Sequence, residues 1–197
     1  SSTILSGYFG ALTAYVFWTI SFKGNKVLFW FVLGTMMIPV QLGIVGYYML
    51  CIKIHLINTY WALILPTIAN AATVFFLKMY MDANIDIALL EAARIDGGSE
   101  FYIFNKIVIP IAMPGIATMS ILNFIFSWNN YFSPLVLLME KKKFTLPILI
   151  ALVKGTYKQD FGAQYLAVAI SIVPIIIAFM FFSKYIISGI TAGALKE

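Results

Sequence analysis

Side chains that could do chemistry are sparse in this chain, and most of the acids lie in one segment. Five of the eight acidic residues fall between residues 81 and 106, namely Asp82, Asp86, Glu91, Asp96 and Glu100. One histidine, His55, and one cysteine, Cys51, are too few for a His/Cys metal site or an internal disulfide. The sequence contains no phosphate-binding loop, no metalloprotease motif and no nucleophilic-serine motif. It therefore predicts no catalytic residue and no metal site.

The first half of this polar segment has the pattern of a short capped helix. Asp82 or Asn84 is expected to cap a helix over Ile85–Asp96, with Asp86 near its positive end. Gly97 and Gly98 are expected to end that helix, because glycine adopts the left-handed conformation after a C-terminus without penalty. The pattern predicts a tight turn at this point.

A second short helix is expected to follow the turn. Ser99 can cap it, and Pro110 is expected to stop it. On the first helix, an angle of 100° per residue gives two apolar sides: Ile85, Ala88, Leu89 and Ala92 on one, and Ile87, Leu90 and Arg94 opposite, with Glu91 close by. Two apolar sides indicate either two packing partners or an interfacial helix with no second partner.

The composition indicates an integral membrane protein. Hydrophobic residues make up 62% of the 197 residues and charged residues 11%, whereas soluble domains carry about 25% charged residues. The net charge of +5 comes from lysines scattered between apolar runs and from one arginine, Arg94. This pattern is typical of loops near lipid headgroups and argues against nucleic-acid binding.

Five runs without a charged residue are each long enough to cross a bilayer, which takes about 20 residues. They are Ser1–Phe22, Val27–Ile52, Leu56–Leu77, Ile107–Met139 and Phe161–Ser183. Pro110 and Pro114 interrupt the fourth run, so its helix is expected to extend from about Gly115 to Leu138. The predicted fold class is all-α, with five transmembrane helices.

Prolines and one short apolar stretch add local detail. Phe144–Val153 is too short to span and suits an interfacial or re-entrant helix. Pro39, Pro66 and Pro174 lie within predicted spans, where they indicate either kinks or hinges that move during transport.

The polar segment carries a family resemblance. Glu91-Ala92-Ala93, three residues, Gly97, nine residues, Ile107, one residue and Ile109-Pro110 resemble the EAA loop of type I ABC importer permeases, with Ile109 where leucine is usual. The ending Gly189–Glu197 is similar to the tail of maltose-transporter-like carbohydrate permeases, specifically the second permease of the pair. Short matches to that branch occur at Met37-Ile38-Pro39, Asn58-Thr59-Tyr60 and Ser127-Trp128-Asn129.

The resemblance covers essentially the whole chain, residues 1–197, as one permease transmembrane domain. It implies that the family's first helix and the following extracellular loop precede Ser1. It also implies a cytoplasmic coupling loop over residues 81–110, in a prokaryotic cell (inner) membrane. Charge alone does not orient the chain, because the loops of the two sides hold seven and six lysines and arginines.

The resemblance further implies partners: a cytoplasmic ATP-binding subunit dimer, a second permease subunit and an extracellular or periplasmic solute-binding protein. ATP and Mg would bind the ATP-binding subunit, and this chain would hold no cofactor. The implied ATPase-coupling residues are Glu91, Ala92, Ala93, Arg94, Asp96, Gly97, Ile107 and Pro110. The implied ATPase-contacting tail residues are Thr191, Ala192, Gly193 and Lys196. The implied binding-protein contacts are Gly155, Thr156, Tyr157 and Lys158.

Polar and aromatic residues within the predicted spans are candidates for the substrate path. They are Gln41, Asn70, Asn123, Trp128, Asn129, Asn130 and Tyr131. Aromatic faces beside amides suit sugar rings, because they combine apolar stacking with hydrogen bonds. Contacts between helices, or an aromatic belt at the membrane surface, explain the same residues equally simply.

The predicted function is therefore that of a permease subunit in an ATP-driven, binding-protein-dependent importer for a sugar or oligosaccharide. The alternatives are an ion-coupled secondary transporter or channel, and an ABC permease for a non-carbohydrate solute. Every acid lies outside the charge-free runs, which argues against ion coupling through intramembrane carboxylates.

Overall fold

The computed structural model describes the backbone of residues 1–156 and 161–194 and the side chains of residues 1–153 and 161–183. Over these residues every regular element is helical, which confirms the all-α prediction. The α-helices are α1 (Ser2–Thr19), α2 (Asn25–Thr35), α3 (Ile44–Lys53), α4 (Trp61–Ile68), α5 (Ala71–Asn84), α6 (Ile87–Ile95), α7 (Glu100–Ile103), α8 (Ile109–Trp128), α9 (Phe132–Leu137), α10 (Leu146–Thr156) and α11 (Phe161–Ala194).

Helix α1 is the central helix of the bundle and packs against α4, α5 and α8. Its buried residues are mostly small, including Ser6, Gly10 and Ala14. A Cβ atom added to Gly10 would lie 2.6 Å from Thr73 Cγ2, so the backbones of α1 and α5 approach closely at this point. Small residues permit such close packing between membrane helices, where van der Waals contact is a main source of association.

Three helical segments in the described part of the chain are long and apolar enough to cross a membrane: Trp61–Asn84, Glu100–Trp128 and Phe161–Ser183. A fourth is counted if the bent pair Asn25–Thr35 and Val40–Lys53 forms one span. The first predicted span forms α1, which is not among them. Because α1 is largely covered by neighbouring helices, it tolerates serine, threonine and glycine that a lipid-facing helix would replace with larger apolar residues. The count of five spans stays a prediction.

The second predicted span is not one helix. It breaks after Thr35, and the helical segments on the two sides of the break differ in direction by 92°. Pro39 is extended, with φ −59° and ψ 126°, and the chain resumes in a 3₁₀ turn over Val40–Gly43. Proline disfavours helical geometry in the residue before it, here Ile38. Pro39 therefore lies at a break between two helices, where the chain changes direction as the predicted kink requires; a hinge movement at this proline stays a prediction.

The fourth predicted span is displaced toward the N-terminus. Pro110 does not stop a helix, because α7 continues through a π turn over Phe104–Val108 into α8. Ile109 N–H bonds to Phe104 O, five residues back, so the turn is already widened where Pro110 lacks a donor. The predicted helix from Gly115 to Leu138 is accordingly wrong, since the helix begins earlier.

The same helix also ends earlier than predicted, at Trp128. The side chain of Asn130 accepts a hydrogen bond from Ser133 N–H (3.2 Å), which starts the separate short helix α9. Pro134 lacks the N–H that a continuous helix would have donated to Asn130 O. The chain therefore turns after α8 instead of extending its helix to Leu138.

The remaining prolines lie inside helices. Pro66 in α4 leaves Ala62 O without its usual helical donor, and Tyr47 Oη donates to that carbonyl at 2.8 Å. A neighbouring helix thus satisfies the freed group, as is common in membrane bundles. Pro174 lies within α11. In the short apolar stretch Phe144–Val153, residues 146–153 are helical and form most of α10, while an interfacial or re-entrant location stays a prediction.

Candidate functional site

The polar segment folds into a helix capped differently from the prediction. Asp86 is the N-cap of α6, and its side chain accepts a hydrogen bond from Ala88 N–H (3.0 Å). Asn84 ends α5, and Asp82 accepts from Trp18 Nε1 (3.0 Å). The predicted cap at Asp82 or Asn84 is therefore wrong, because Ile85 is extended (φ −121°) and delays the helix by two residues.

The turn after α6 forms as predicted. Gly97 has a left-handed backbone with φ +84°, and Gly97 N–H bonds to Arg94 O (3.0 Å). Gly98 N–H bonds to Ala93 O (2.9 Å), so the carbonyls of Ala93 and Arg94 near the end of α6 are satisfied. Ser99 caps α7 by accepting from Tyr102 N–H (3.3 Å). These bonds fix how α6 is joined to α7.

Helix α6 has one packed side and one open side. Leu90 is fully buried in a cluster with Met81, Ile103 and Phe104. The open side carries Ile87, Ala88, Leu89, Glu91, Ala92 and Ile95, the last with 86% of its surface exposed. The predicted grouping of Ile85 with Ala88, Leu89 and Ala92 is wrong, because Ile85 precedes the helix and is buried. A packed side and an open apolar side nevertheless both exist.

Arg94 and Glu100 form an ion pair across the turn. Arg94 Nε lies 2.7 Å from Glu100 Oε1, and Arg94 Nη2 lies 3.3 Å from Oε2. The hydrogen bond to this carboxylate raises the pKa of Arg94. Tyr15 Oη, from α1, donates to Glu100 Oε2. Sequence reasoning missed Tyr15, which lies in an apolar run 85 residues before Glu100 and gives no local signal.

The other residues of the loop motif lie away from the open side of α6. Asp96 is exposed in the turn, whereas Ala93 is half-buried against the core. Ile107 belongs to the π turn and packs against the same core cluster. Pro110 is exposed in the first turn of α8. The motif therefore combines an outward helix with the turn that joins it to a span.

A cavity of about 550 Å³ opens between the bent α2–α3 pair, α4, α9 and the end of α8. It is lined by three of the substrate-path candidates, Asn70, Asn123 and Asn130. Serine and threonine side chains line it as well, among them Ser2, Thr67, Ser127 and Ser133. None of its described lining residues is acidic, basic or a histidine. Gln41 lies in the 3₁₀ turn nearby but does not line it.

Two of these amides are engaged in a hydrogen-bond network between helices. Asn123 Nδ2 donates to Ser6 Oγ (3.1 Å) and Thr73 Oγ1 (2.9 Å), and Asn123 Oδ1 accepts from Asn70 Nδ2 (3.1 Å). Asn70 Oδ1 in turn caps α5 by accepting from Thr73 N–H (3.0 Å). Both donors of Asn123 are used within this network, so its amide joins α1, α5 and α8. Asn123 also lines the cavity, and its place on the substrate path stays a prediction.

The remaining candidates lie on another side of the α8 end. Trp128, Asn129 and Tyr131 line a second cavity of about 410 Å³ next to α10 and α11, together with Gln164. Trp128 Nε1 donates to Ser171 O (3.0 Å) and fixes the indole against α11. The structure thus divides the seven candidates between two cavities and one exposed turn.

Several predicted contacts lie at or beyond the limits of the described residues. Gly155 and Thr156 end α10, while Tyr157 and Lys158 lie outside the described residues. Thr191, Ala192 and Gly193 belong to the last turn of α11, and Lys196 lies outside the described residues.

Comparison with known proteins decides the family. Residues 6–192 match the family described as "Binding-protein-dependent transport system inner membrane component". The chain belongs to this family. The permease is 39% identical over 193 residues to the arabinooligosaccharides transport system permease protein AraQ of Halalkalibacterium halodurans, covering 98% of this chain and 69% of that protein.

Two further similarities agree with this assignment. The permease is 35% identical over 198 residues to the trehalose/maltose transport system permease protein MalG of Thermococcus litoralis, covering 98% of this chain and 70% of that protein. Its fold is similar to a chain in the crystal structure of a bacterial ABC transporter involved in the import of the acidic polysaccharide alginate. The TM-score is 0.73 and the identity 26%, over 94% of this chain and 73% of that chain.

These findings identify the protein as a membrane-embedded permease of an ABC-type importer. They confirm the importer interpretation made from the EAA resemblance. They give no support to an ion-coupled secondary transporter or channel. The relatives are transport permeases, not enzymes.

Proposed function

We propose that the permease transports an uncharged sugar or oligosaccharide by alternating access, driven by ATP hydrolysis on a separate subunit. The relatives named for arabinooligosaccharides and for trehalose/maltose support the substrate class. The cavity of about 550 Å³ supports an uncharged solute, because its described lining offers amides and hydroxyls but no ionic group. The transported sugar would enter between this permease and a second permease subunit.

The open side of α6 is the observation that carries the coupling part of the proposal. Ile87, Leu89 and Ile95 are exposed there on a short helix that the Gly97 turn joins to α7. An exposed apolar side of this kind suits a groove on a protein partner. We assign the partner as the ATP-binding subunit dimer, with Glu91, Ala92, Arg94 and Asp96 at or beside the contact. ATP and Mg would bind that dimer, and no cofactor would bind this chain.

We propose the remaining parts of the assembly by analogy with the family. Residues 1–197 would form one transmembrane domain with five spans, preceded in the full protein by a further helix. Residues 81–110 would be the cytoplasmic coupling loop. The tail at Thr191, Ala192, Gly193 and Lys196 would contact the ATP-binding dimer. Gly155, Thr156, Tyr157 and Lys158 would contact a solute-binding protein on the opposite side, in a prokaryotic cell membrane.

Reconstitution of the complete importer in proteoliposomes tests this function. Uptake of a neutral oligosaccharide loaded on the binding protein is expected to require ATP and to be unaffected by a proton or sodium gradient. Uptake of an oligouronate of equal length is the matched comparison and is expected to be weaker. Gradient-driven uptake without ATP would contradict the energy source, and preferred uptake of the oligouronate would contradict the proposed solute.

A further inference from the structure

Three hydrogen bonds between side chains join the central helix α1 to the polar segment. They connect Trp18 to Asp82 (3.0 Å), Tyr15 to Glu100, and Tyr8 to Asn105 (3.2 Å). The three α1 residues lie along more than two turns of that helix, and their partners belong to α5, α7 and the π turn. The polar segment is thus hydrogen-bonded to α1 at three points along that helix.

The bond from Tyr15 differs from the other two because it continues to α6. Glu100 accepts from Tyr15 through Oε2 and from Arg94 through both carboxylate oxygens. Tyr15 is almost completely buried, whereas Arg94 and Glu100 are partly open to solvent. One carboxylate therefore connects an outward helix to a residue inside the bundle.

Few other contacts could transmit movement of α6. Among the described helices, α6 packs mainly on α7, which is four residues long and begins at Glu100. Leu90 and Ala93 add an apolar contact with the core. Apolar contacts allow neighbouring helices to slide, whereas charge-assisted hydrogen bonds fix direction as well as distance.

We propose that Glu100 is a positioning residue that transmits movement of α6 to α1, through Arg94 on one side and Tyr15 on the other. This inference rests on the proposed function, in which the ATP-binding subunit moves α6. A rigid-body change at α6 reaches the bundle only if the contacts between them keep their geometry. Helix α1 then carries the movement to α5 and α8, to which the Asn123 network attaches it.

The three hydrogen bonds at this site require a carboxylate. Three N–H or O–H donors converge on two oxygens, and each donor needs an acceptor lone pair. Glutamine would present an NH₂ group to one of these donors, so at least one bond would be lost. Phenylalanine in place of Tyr15 would fill nearly the same volume but would break the bond to α1 alone.

The test uses the complete importer in proteoliposomes and measures solute transported per ATP hydrolysed. Tyr15→Phe, Glu100→Gln and the double variant are compared with Tyr165→Phe, a matched control on α11 whose side chain is 71% exposed. Co-purification of the ATP-binding subunit and thermal unfolding are recorded for each. Glu100 is partly exposed, so Glu100→Gln is expected to fold even where Tyr15→Phe does not.

The expected result is a coupling defect with normal assembly. Both single variants should retain ATP hydrolysis stimulated by the loaded binding protein, while solute transported per ATP falls by about tenfold, within the usual range of coupling between sites. Solute transported per ATP should be no lower in the double variant than in either single variant, because the single and double variants all break the same connection between α6 and α1. Tyr165→Phe should keep the wild-type ratio.

Two outcomes would overturn the inference. One is a wild-type ratio of transport to hydrolysis in Glu100→Gln. The other is a parallel loss of transport, hydrolysis and co-purification, which would mark Glu100 as a purely structural residue. Neither outcome affects the proposed function, which is tested separately by the ATP dependence and solute preference of the wild-type importer.

Discussion

At the scale of single residues, Gly97 determines how the coupling loop is presented. Its φ of +84° belongs to the left-handed region, and nothing lies within 4 Å of a Cβ atom added there. A Cβ atom at this position would therefore contact no residue beyond its chain neighbours. A substitution here acts mainly by straining the left-handed backbone, so it tests the role of the turn itself.

Replacing Gly97 with valine is expected to redirect α6 or to destabilise the turn by about 1–2 kcal/mol, because a β-branched residue resists the left-handed conformation. The variant should insert into the membrane but lose co-purification of the ATP-binding subunit. Gly46→Val is the matched control, since Gly46 lies in α3 with similarly open surroundings and no positive φ. Normal assembly and transport in Gly97→Val would contradict the docking role of α6.

Single residues could be predicted from the sequence only where their partners are local. Gly97 and Ser99 were predictable, because a helix end and a cap are fixed by neighbours within a few residues. The partners of Glu100 and Asn123 were not, since Tyr15 and Ser6 lie 85 and 117 residues away. The sequence therefore left open whether Asn123 contacts a solute or other helices; in the structure it joins three helices and also lines the cavity.

At the scale of elements, α1 shows how small residues set the spacing of the bundle. Gly10 faces Thr73 so closely that an added Cβ would lie 2.6 Å from Thr73 Cγ2. The same threonine accepts a hydrogen bond from Asn123 (2.9 Å). Any displacement of α5 at this point would therefore also disturb the polar network.

Gly10→Ala is expected to lower the free energy of unfolding by about 1–3 kcal/mol, the usual cost of overpacking. Gly34→Ala on α2 is the matched control, because nothing lies within 4 Å of its added Cβ. Thermal denaturation of the purified importer in detergent compares the two. Equal unfolding temperatures for both variants would show that α1 and α5 separate at little cost.

Prolines show why element boundaries were harder to predict than element types. The same local rule applies to Pro39, Pro110 and Pro134, yet helices break only just before Pro39 and a few residues before Pro134, whereas the helix continues through Pro110. The π turn before Pro110 removes the hydrogen bond that proline would have broken. The residue types in this segment do not predict such a turn. The helical class and the apolar runs followed from composition, whereas breaks depended on these longer-range arrangements.

At the scale of the whole molecule, the orientation in the membrane rests on the coupling loop. Lysines and arginines divide seven to six between the two sides, so their number does not decide it. Glu100–Trp128 separates Asp96 from Lys142 and is long enough to cross once. Helix α9 has six residues, or about 9 Å at 1.5 Å per residue, and is too short to cross back. Asp96 and Lys142 are therefore expected on opposite sides.

Cysteine labelling in intact cells tests this orientation. Cys51 is fully buried, and Cys51→Ser gives a cysteine-free background into which Asp96→Cys or Lys142→Cys is introduced. Both positions are exposed on the isolated chain. An impermeant maleimide is expected to label position 142 in intact cells and position 96 only after the membrane is opened. The run Lys141–Lys143 would then face outward, against the usual excess of positive charge inside. Labelling of position 96 in intact cells would reverse the orientation and remove α6 from the reach of a cytoplasmic ATP-binding subunit.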